Sequence, residues 1–213
     1  HVVITSVDRD DLPDGGAAIW AETVHRVHAA CPEMSLETLV GDFKGKKADV
    51  EAVIQSRPEI LAHNVETVRR MHPAVRPQAD YDRSLQVLAW IREAGLVAKT
   101  SIMVGIGETD EEVHEVMSDI RSRANTDILT IGQYLQPTRN HLPIDRWVTP
   151  EQFDSYRRFG LDLGFKVVES GPLVRSSYHA EEQAEKLSPA GRETASAMEA
   201  ILAHATDRRA DSA

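Results

Sequence analysis

Short apolar runs alternate with segments of helical periodicity along most of this 213-residue chain. Strand–helix alternation of this kind predicts a parallel sheet, either an open doubly wound sheet or a (β/α) barrel. The apolar runs predict strands at Val2–Val7, Ser35–Val40, Ile60–His63, Val97–Val104, Asp127–Leu135 and Phe165–Glu169. The segments between them predict helices at Ala17–Ala30, Lys47–Gln55, Tyr81–Ala94, Asp110–Ala124 and Pro150–Leu163.

Local signals mark several predicted helix ends. Thr109 with Glu112 three residues later forms a capping box at the start of the fourth helix. Pro150 suits the first turn of the fifth helix. Gly95 and Gly164 follow two helices as stop signals.

Polar residues inside one predicted strand favour the barrel. In Val97–Val104, Lys99, Ser101 and Met103 share one face of the strand, and Glu37 lies within another strand. Unpaired charges are costly in a dry core, but they are expected where strands line a lumen that holds a ligand. The fold class is therefore predicted as α/β, with a (β/α) barrel.

Composition narrows the function classes. A net charge of −10 argues against broad binding of nucleic acid, which needs a basic surface. No apolar run is long enough for a membrane span. The single cysteine, Cys31, excludes a disulfide framework and predicts a reducing, cytoplasmic location. The nine histidines are scattered without the spacing of a zinc site.

Polar clusters follow the carboxyl ends of several predicted strands, where parallel α/β folds build their active sites. They are Thr5–Asp11, His63–Glu66, Lys99–Glu108, Gln133–Leu142 and Arg175–Tyr178. Each cluster alone has a structural alternative, such as a solvated turn or a capping Asn. The Gly105–Glu108 stretch, GIGE, lacks the spacing of a dinucleotide fingerprint.

The candidate ligand-binding residues come from these clusters. Thr5, Ser6 and Asp8 are predicted at the barrel mouth. Asn64 and Glu66 suit a ribose diol or an amino-acid zwitterion, because they offer both donors and acceptors. Lys99, on the same strand face as Ser101, complements a ligand carboxylate in the lumen or pairs with Glu37 or Glu66.

Together these segments resemble the lipoyl synthases of the radical SAM superfamily. The similar stretches are Val2–Ala17, Ala62–Val68, Lys99–Thr109, Ile131–Phe153 and Ser170–Ala180. Two motifs within them, VDRDDLPDGGA and GPLVRSSYHA, are specific to that family. The resemblance covers about residues 2–180, and the charged, Ala-rich stretch 181–213 lies outside it as a helical or disordered tail, with a helix predicted near Arg192–His204.

The resemblance implies a partial TIM-type barrel over residues 1–180 that holds S-adenosylmethionine (SAM) and two 4Fe–4S clusters. One cluster cleaves SAM, and the radical formed removes hydrogens from C6 and C8 of an octanoyl chain on a carrier-protein lysine. The second cluster donates two sulfurs. In the family a serine of the RSSY motif ligates this cluster, which implies Ser177 here, with Ser176 as the alternative and Arg175 as support. The implied partners are octanoylated lipoyl carrier domains or the glycine cleavage H protein, and an electron donor such as ferredoxin or flavodoxin.

The sequence departs from the family at one point, since both of its cysteine motifs precede the strand that begins here at Val2. One thiolate cannot hold a cluster that needs three or four. The expectation is a chain that lacks its first barrel strand and its cluster region and is inactive alone. Two other classes remain open: a barrel lyase with Lys99 as a Schiff base, and a noncatalytic scaffold that binds the carrier domain.

Overall fold

A computed structural model describes residues 1–188, in which six parallel strands form one sheet in the order β1-β2-β3-β4-β5-β6. The strands are β1 (Val2–Thr5), β2 (Leu36–Leu39), β3 (Ile60–Ala62), β4 (Val97–Val104), β5 (Ile128–Gln133) and β6 (Val167–Gly171). The helices are α1 (Ala17–Ala30), α2 (Lys47–Gln55), α3 (His72–Val75), α4 (Tyr81–Glu93), α5 (Asp110–Asp119), α6 (Pro150–Asp162) and α7 (Ala180–Leu187).

The sequential strand order decides between the two predicted sheet types. Parallel crossovers are right-handed, so a strand order that never reverses keeps the connecting helices on one face. A doubly wound sheet would reverse its order at a switch point. The prediction of a partial (β/α) barrel is therefore confirmed, and the other face of the sheet is its lumen.

The two faces of β4 differ as the sequence predicts. Ala98, Ile102 and Val104 are buried in the main hydrophobic core under the helices. Lys99 and Ser101 alternate with them and point into the lumen, where they are also buried. The sheet thus separates an apolar core outside the barrel from a polar interior.

The predicted helix signals are confirmed. Thr109 and Glu112 form the capping box of α5, and Pro150 occupies the first turn of α6. Gly95 and Gly164 both have positive φ. The helical stretch predicted to Ala124 changes type near its end, because α5 stops at Asp119 and a π-helical turn follows over Ile120–Ala124.

Strand ends were predicted less accurately than strand positions. The predicted strand Val2–Val7 ends at Thr5, because Thr5 pairs with Leu39 and β2 offers no further partner. Val7 is 78% exposed in the following loop. Short apolar runs thus predict where a strand lies, but the length of the neighbouring strand limits how far that strand extends.

Helix α7 covers the end of the barrel at which the strands begin. Its Leu187 packs with Ile60, Ile128 and Val167, which come from three different strands. The helix predicted near Arg192–His204 lies outside the described residues. Within residues 1–188, no helix is long and apolar enough to cross a membrane.

Candidate functional site

A cavity of about 200 Å³ opens in the lumen at the carboxyl ends of β3, β4 and β5. Five of the predicted site residues line it: Asn64, Glu66, Ser101, Arg175 and Ser176. These residues come from three separate parts of the sequence. The structure therefore brings together half of the predicted site residues.

The segment after β3 is held along β4 by its backbone. The amide of Glu66 donates to the Ser101 carbonyl at 2.9 Å, and the amide of Met103 donates to the Glu66 carbonyl at 2.8 Å. Glu66 reaches this position with a φ of 71°, which is unusual for a residue with a side chain. A strained backbone held by its surroundings is common at ligand sites.

The Glu66 carboxyl group lies in a poorly hydrated place. Burial raises its pKa above the ordinary value, and the Asn64 amide and the Arg76 charge offset part of this effect. Asn64 donates from Nδ2 to Glu66 Oε1 at 3.1 Å. The Asn64 and Glu66 side chains are therefore hydrogen-bonded to each other in the cavity.

The side-chain oxygen of Asn64, at the other end of its amide, is not satisfied within the part of the chain that the structure describes. Its Oδ1 is buried and has no hydrogen-bond partner among the described residues. A buried acceptor without a donor costs free energy, so a ligand that supplies a hydroxyl or amine would stabilise this arrangement. Paired amide and carboxylate groups suit the diol of a ribose.

Lys99 lies on the same face of β4 as Ser101, but deeper in the lumen, and it does not line the cavity. Its Nζ is 2.8 Å from Glu37 Oε2 on β2, and both side chains are 1% exposed. Burial lowers the pKa of Lys99 and raises that of Glu37, while their mutual attraction opposes both shifts. Of the two expectations for Lys99, the ion pair with Glu37 is the one that the structure shows.

The segment after β6 crosses the lumen close to β5. A side chain at Gly132 would place its Cβ in a clash with the Val174 carbonyl oxygen, so this crossing requires glycine there. Arg175 donates from Nη1 to the same carbonyl. Ser176 lines the cavity, whereas Ser177 is exposed and does not line it.

The predicted loop after β1 faces a different cavity. Ser6 and Asp8 line an open cavity of about 770 Å³, and Thr5 is exposed at the end of β1. Arg76 connects the two cavities: it lines the larger one, and its Nη1 donates to the Asn64 carbonyl at 2.8 Å. The expected single site at the barrel mouth is thus a pair of adjoining cavities.

Arg76 and Asp42 are cavity residues that the sequence analysis did not identify. Asp42 lies three residues after the end of β2 and carries the same strand-end signal as the other clusters. Arg76 follows the short helix α3, which the hydrophobic pattern does not predict, so no signal placed it near Asn64.

The GIGE turn after β4 is not an anion-binding site. Its backbone amides at Gly105, Ile106 and Gly107 all donate to the Glu108 carboxylate, at 2.7, 2.9 and 3.2 Å. Arg146 also contacts Glu108 at 3.3 Å. The buried carboxylate therefore occupies the position that a phosphate would need, as expected from the absence of a dinucleotide fingerprint.

Metal ligands are scarce in the part of the chain that the structure describes. Residues 1–188 contain no group of three or more His, Cys, Asp or Glu side chains that could hold a metal ion. Cys31 is exposed after α1, just before β2 begins, and therefore lies at the opposite end of the barrel from the lumen cavity. The residues present do not fit an iron–sulfur cluster by themselves.

The fold and the site define a (β/α)-barrel protein with a polar lumen site at the carboxyl ends of its strands. Residues 1–120 match the family model described as Radical SAM superfamily. The chain belongs to the radical SAM superfamily.

Particular members of that superfamily resemble the chain closely. It is 54% identical over 182 residues to a lipoyl synthase of Flavobacterium johnsoniae, and 53% identical over 187 residues to one of Rubrobacter xylanophilus. A mitochondrial lipoyl synthase of Nematostella vectensis is 52% identical over 182 residues. These alignments cover 85%, 87% and 85% of this chain, and 63%, 58% and 62% of the relatives. The chain thus spans about three fifths of the length of the curated relatives that it matches.

Solved structures support the fold alone. A domain of pyruvate-formate lyase-activating enzyme from Bacteroides vulgatus superposes with a TM-score of 0.54 at 13% identity, covering 79% of this chain and 98% of that one. Methylornithine synthase superposes with a TM-score of 0.52 at 14% identity, covering 71% of this chain and 51% of that one.

Proposed function

We propose that this chain is the barrel part of a lipoyl synthase, which replaces hydrogens at C6 and C8 of a protein-bound octanoyl-lysine with two sulfurs. The observation that carries the proposal is the identity of more than half of the aligned residues with lipoyl synthases over about 85% of the chain. Membership of the radical SAM superfamily supports the same chemistry. The activity is proposed for the full gene product, and the 213 residues alone are expected to be inactive.

The lumen cavity is the proposed site for the nucleoside part of SAM. Asn64 Oδ1 would accept from a ribose hydroxyl, and the Glu66 carboxylate would accept from the neighbouring one. Ser101 and Arg175 line the same cavity and would contact the rest of the cofactor. SAM supplies the radical, and these side chains hold it against the substrate and away from water.

Ser6, Asp8 and Thr5 are proposed to belong to the part of the site that adjoins the lumen cavity and receives the octanoyl chain. Ser6 and Asp8 line the larger cavity, which lies next to the lumen through Arg76. An eight-carbon chain attached to a carrier protein needs an open approach of this kind, because the carrier cannot enter the barrel. Octanoylated lipoyl domains or the glycine cleavage H protein are the proposed carriers, with a ferredoxin or flavodoxin as electron donor in the cytoplasm.

The two 4Fe–4S clusters of this proposal need several cysteine ligands, whereas these 213 residues contain the single Cys31. The chain itself offers only the serine oxygens of the RSSY motif. Ser176 lines the lumen cavity and Ser177 lies beside it in sequence, so they remain alternative ligands of the sulfur-donating cluster. No further contribution of the chain to either cluster is proposed.

The ion pair of Lys99 argues against the alternative of a Schiff-base lyase. A Schiff-base lysine must present a neutral amine to its substrate. Lys99 is buried against Glu37 and does not line the cavity.

Turnover of an octanoyl-lysine peptide tests the proposed function. The full gene product, with its clusters reconstituted without oxygen, is expected to cleave SAM and to yield a lipoyl peptide in the presence of a reductant. Glu66→Gln should lower this activity, because an amide accepts ribose hydrogen bonds less strongly than a carboxylate. SAM cleavage without any sulfur in the peptide would instead indicate a different radical SAM reaction.

A further inference from the structure

The longest connection between regular elements within residues 1–188 joins β5 to α6 and spans residues 134–149. Its side chains are exposed from Leu135 to His141, whereas Tyr134 and Val148, near its two ends, are buried. Loops of more than about 12–15 residues without secondary structure are uncommon in compact domains, and they usually serve as binding loops or lids. The length of this β5–α6 loop therefore indicates a role in the site.

The side chain of Gln133, the last residue of β5, holds both ends of the β5–α6 loop. Its Oε1 accepts from the Val148 amide at 2.9 Å, and its Nε2 donates to the carbonyl oxygens of Tyr134 and Arg146, both at 3.1 Å. Gln133 is buried, and both N–H groups of its amide are used in these bonds. Such a buried amide fixes the backbone around it, because breaking one of its bonds leaves a buried polar group unpaired.

Gly105, directly after β4, brings a second strand into the same contact. Its carbonyl oxygen accepts from the Asp145 amide at 2.9 Å. A Cβ at Gly105 would clash with Gln133 Nε2 and with the Arg146 carbonyl oxygen, so this close approach requires glycine. Arg146 is itself fixed by an ion pair at 2.7 Å with Asp110, the first residue of α5. The returning end of the loop is therefore held by two neighbouring strands and by a helix.

The loop held in this way forms part of the wall of the lumen cavity. Leu135 lies two residues after Gln133, lines the cavity and is 48% exposed. Met103 and Val174 line the same cavity, so this part of its wall is apolar. The bonds of Gln133 come immediately before Leu135 along the chain, and the position of the apolar wall therefore depends on them.

We propose that Gln133 is a positioning residue of the reaction, which fixes the apolar wall of the lumen cavity against the nucleoside part of SAM. This inference rests on the proposed function and adds to it a residue that acts through its neighbours. A primary carbon radical takes hydrogen from any C–H group within reach, so the nucleoside must be held close to the substrate carbon. With a loosened wall, the radical would take a hydrogen atom from the protein or the reductant instead. SAM would then be consumed without formation of a carbon–sulfur bond.

The coupling of SAM cleavage to sulfur insertion tests this role in the full, cluster-reconstituted gene product. The measured quantity is the number of 5′-deoxyadenosine molecules formed for each sulfur placed in the octanoyl-lysine peptide. Gln133→Met retains the length of the side chain and removes all three of its hydrogen bonds, whereas Gln133→Glu retains the acceptor for the Val148 amide. Gln136→Met is the matched control, because Gln136 donates to the His141 carbonyl within the same loop but holds neither of its ends.

Hydrogen exchange of the backbone amides gives a readout that does not depend on turnover. In the wild type, the amides of Val148 and Asp145 should exchange slowly, since both are bonded to fixed acceptors. Both should exchange about tenfold faster or more in Gln133→Met, and at the wild-type rate in Gln136→Met. Exchange of the wild-type Val148 amide as fast as that of the exposed Arg139 would contradict the inference, even if neither Gln133 variant folds.

Gln133→Met should raise the number of 5′-deoxyadenosine molecules per inserted sulfur on the order of tenfold, with a smaller rise in Gln133→Glu and none in Gln136→Met. An unchanged ratio in a folded Gln133→Met protein would overturn the inference, even if both rates fall together, because that result indicates a general structural role. SAM cleavage without sulfur insertion by the wild type would instead contradict the proposed function, and this inference with it.

Discussion

Lys99 on β4 reaches across β3 to Glu37 on β2, and their charged groups meet at 2.8 Å in the lumen. Lys99 pairs in register with Ala62 of the intervening strand. The small side chain of Ala62 leaves room for the lysine to pass over β3. The pair lies below the cavity that Ser101 lines, so it supports the floor of the site rather than contacting a ligand.

Replacing one member of this pair should destabilise the fold strongly. Lys99→Met leaves the buried Glu37 carboxylate with only the distant His1 Nε2, 3.9 Å away, as a neighbour of opposite charge, and the expected loss in the free energy of unfolding is about 3–5 kcal/mol. The double variant Lys99→Met with Glu37→Gln should recover most of that loss, because no charge remains buried. Urea unfolding followed by circular dichroism measures both. Equal stability of the single and double variants would contradict the conclusion that an unpaired buried charge at Glu37 destabilises the floor of the site.

Buried His63 makes stability depend on pH. Its Nδ1 lies 3.0 Å from the Val40 carbonyl oxygen and its Nε2 3.0 Å from Ser84 Oγ, and burial lowers its pKa to about 4 from 6.5. The unfolded chain therefore binds the proton first as the pH falls. The stabilisation is complete above about pH 6.5 and is lost as the pH falls from 6.5 toward 4, by roughly 3 kcal/mol in all.

The variant His63→Gln should remove this part of the pH dependence. The measurement is the free energy of unfolding at several pH values between 4 and 7, for the wild type and the variant. His25→Gln is the control for the loss of an exposed histidine. An unchanged slope in His63→Gln would show that His63 is charged or exposed in the folded protein.

Gly132 is expected to be essential to the lumen site. In Gly132→Ala the new methyl group would meet the Val174 carbonyl oxygen, so the segment that carries Arg175 and Ser176 must move. Affinity for SAM should fall in this variant. Gly95→Ala is a suitable comparison, since Gly95 has a φ of 80° but nothing within 4 Å of its Cβ position. That change should cost about 1 kcal/mol of stability and no affinity.

The two serines of the RSSY motif can be separated by substitution. A labile iron–oxygen bond would ease loss of the cluster when its sulfur is transferred, so a thiolate in its place should slow sulfur transfer. The family pattern implies this effect for Ser177→Cys, whereas the cavity lining favours Ser176→Cys. Single-turnover formation of the lipoyl peptide distinguishes them. Unchanged rates in both variants would exclude serine ligation.

Much of the fold could be predicted because it depends on local pattern. Alternating runs located all six strands of the sheet, and the Thr109 capping box located the start of α5. The hydrophobic pattern carried no signal for α3, a single short turn of helix, and so it missed Arg76. Backbone register and cavity shape depend on contacts between distant segments, which one sequence does not reveal.

The same limit applies to the site. Asn64, Glu66 and Ser101 could be placed together because they follow, or lie on, neighbouring strands. Ser6 and Asp8 also follow a strand, but their loop turns toward Asp42 and the larger cavity. The conformation of that loop depends on its own contacts, and the strand-end rule does not describe it.

The most direct test of the account is the affinity for SAM of the full, cluster-reconstituted gene product and of its Asn64→Ala variant. Asn64 presents the buried acceptor that no described residue satisfies, whereas the exposed Asn140 provides a control amide outside the lining of the lumen cavity. The account predicts that Asn64→Ala weakens SAM binding by about tenfold or more, and that Asn140→Ala does not. Equal affinity of the wild type and Asn64→Ala would contradict the assignment of the lumen cavity to SAM.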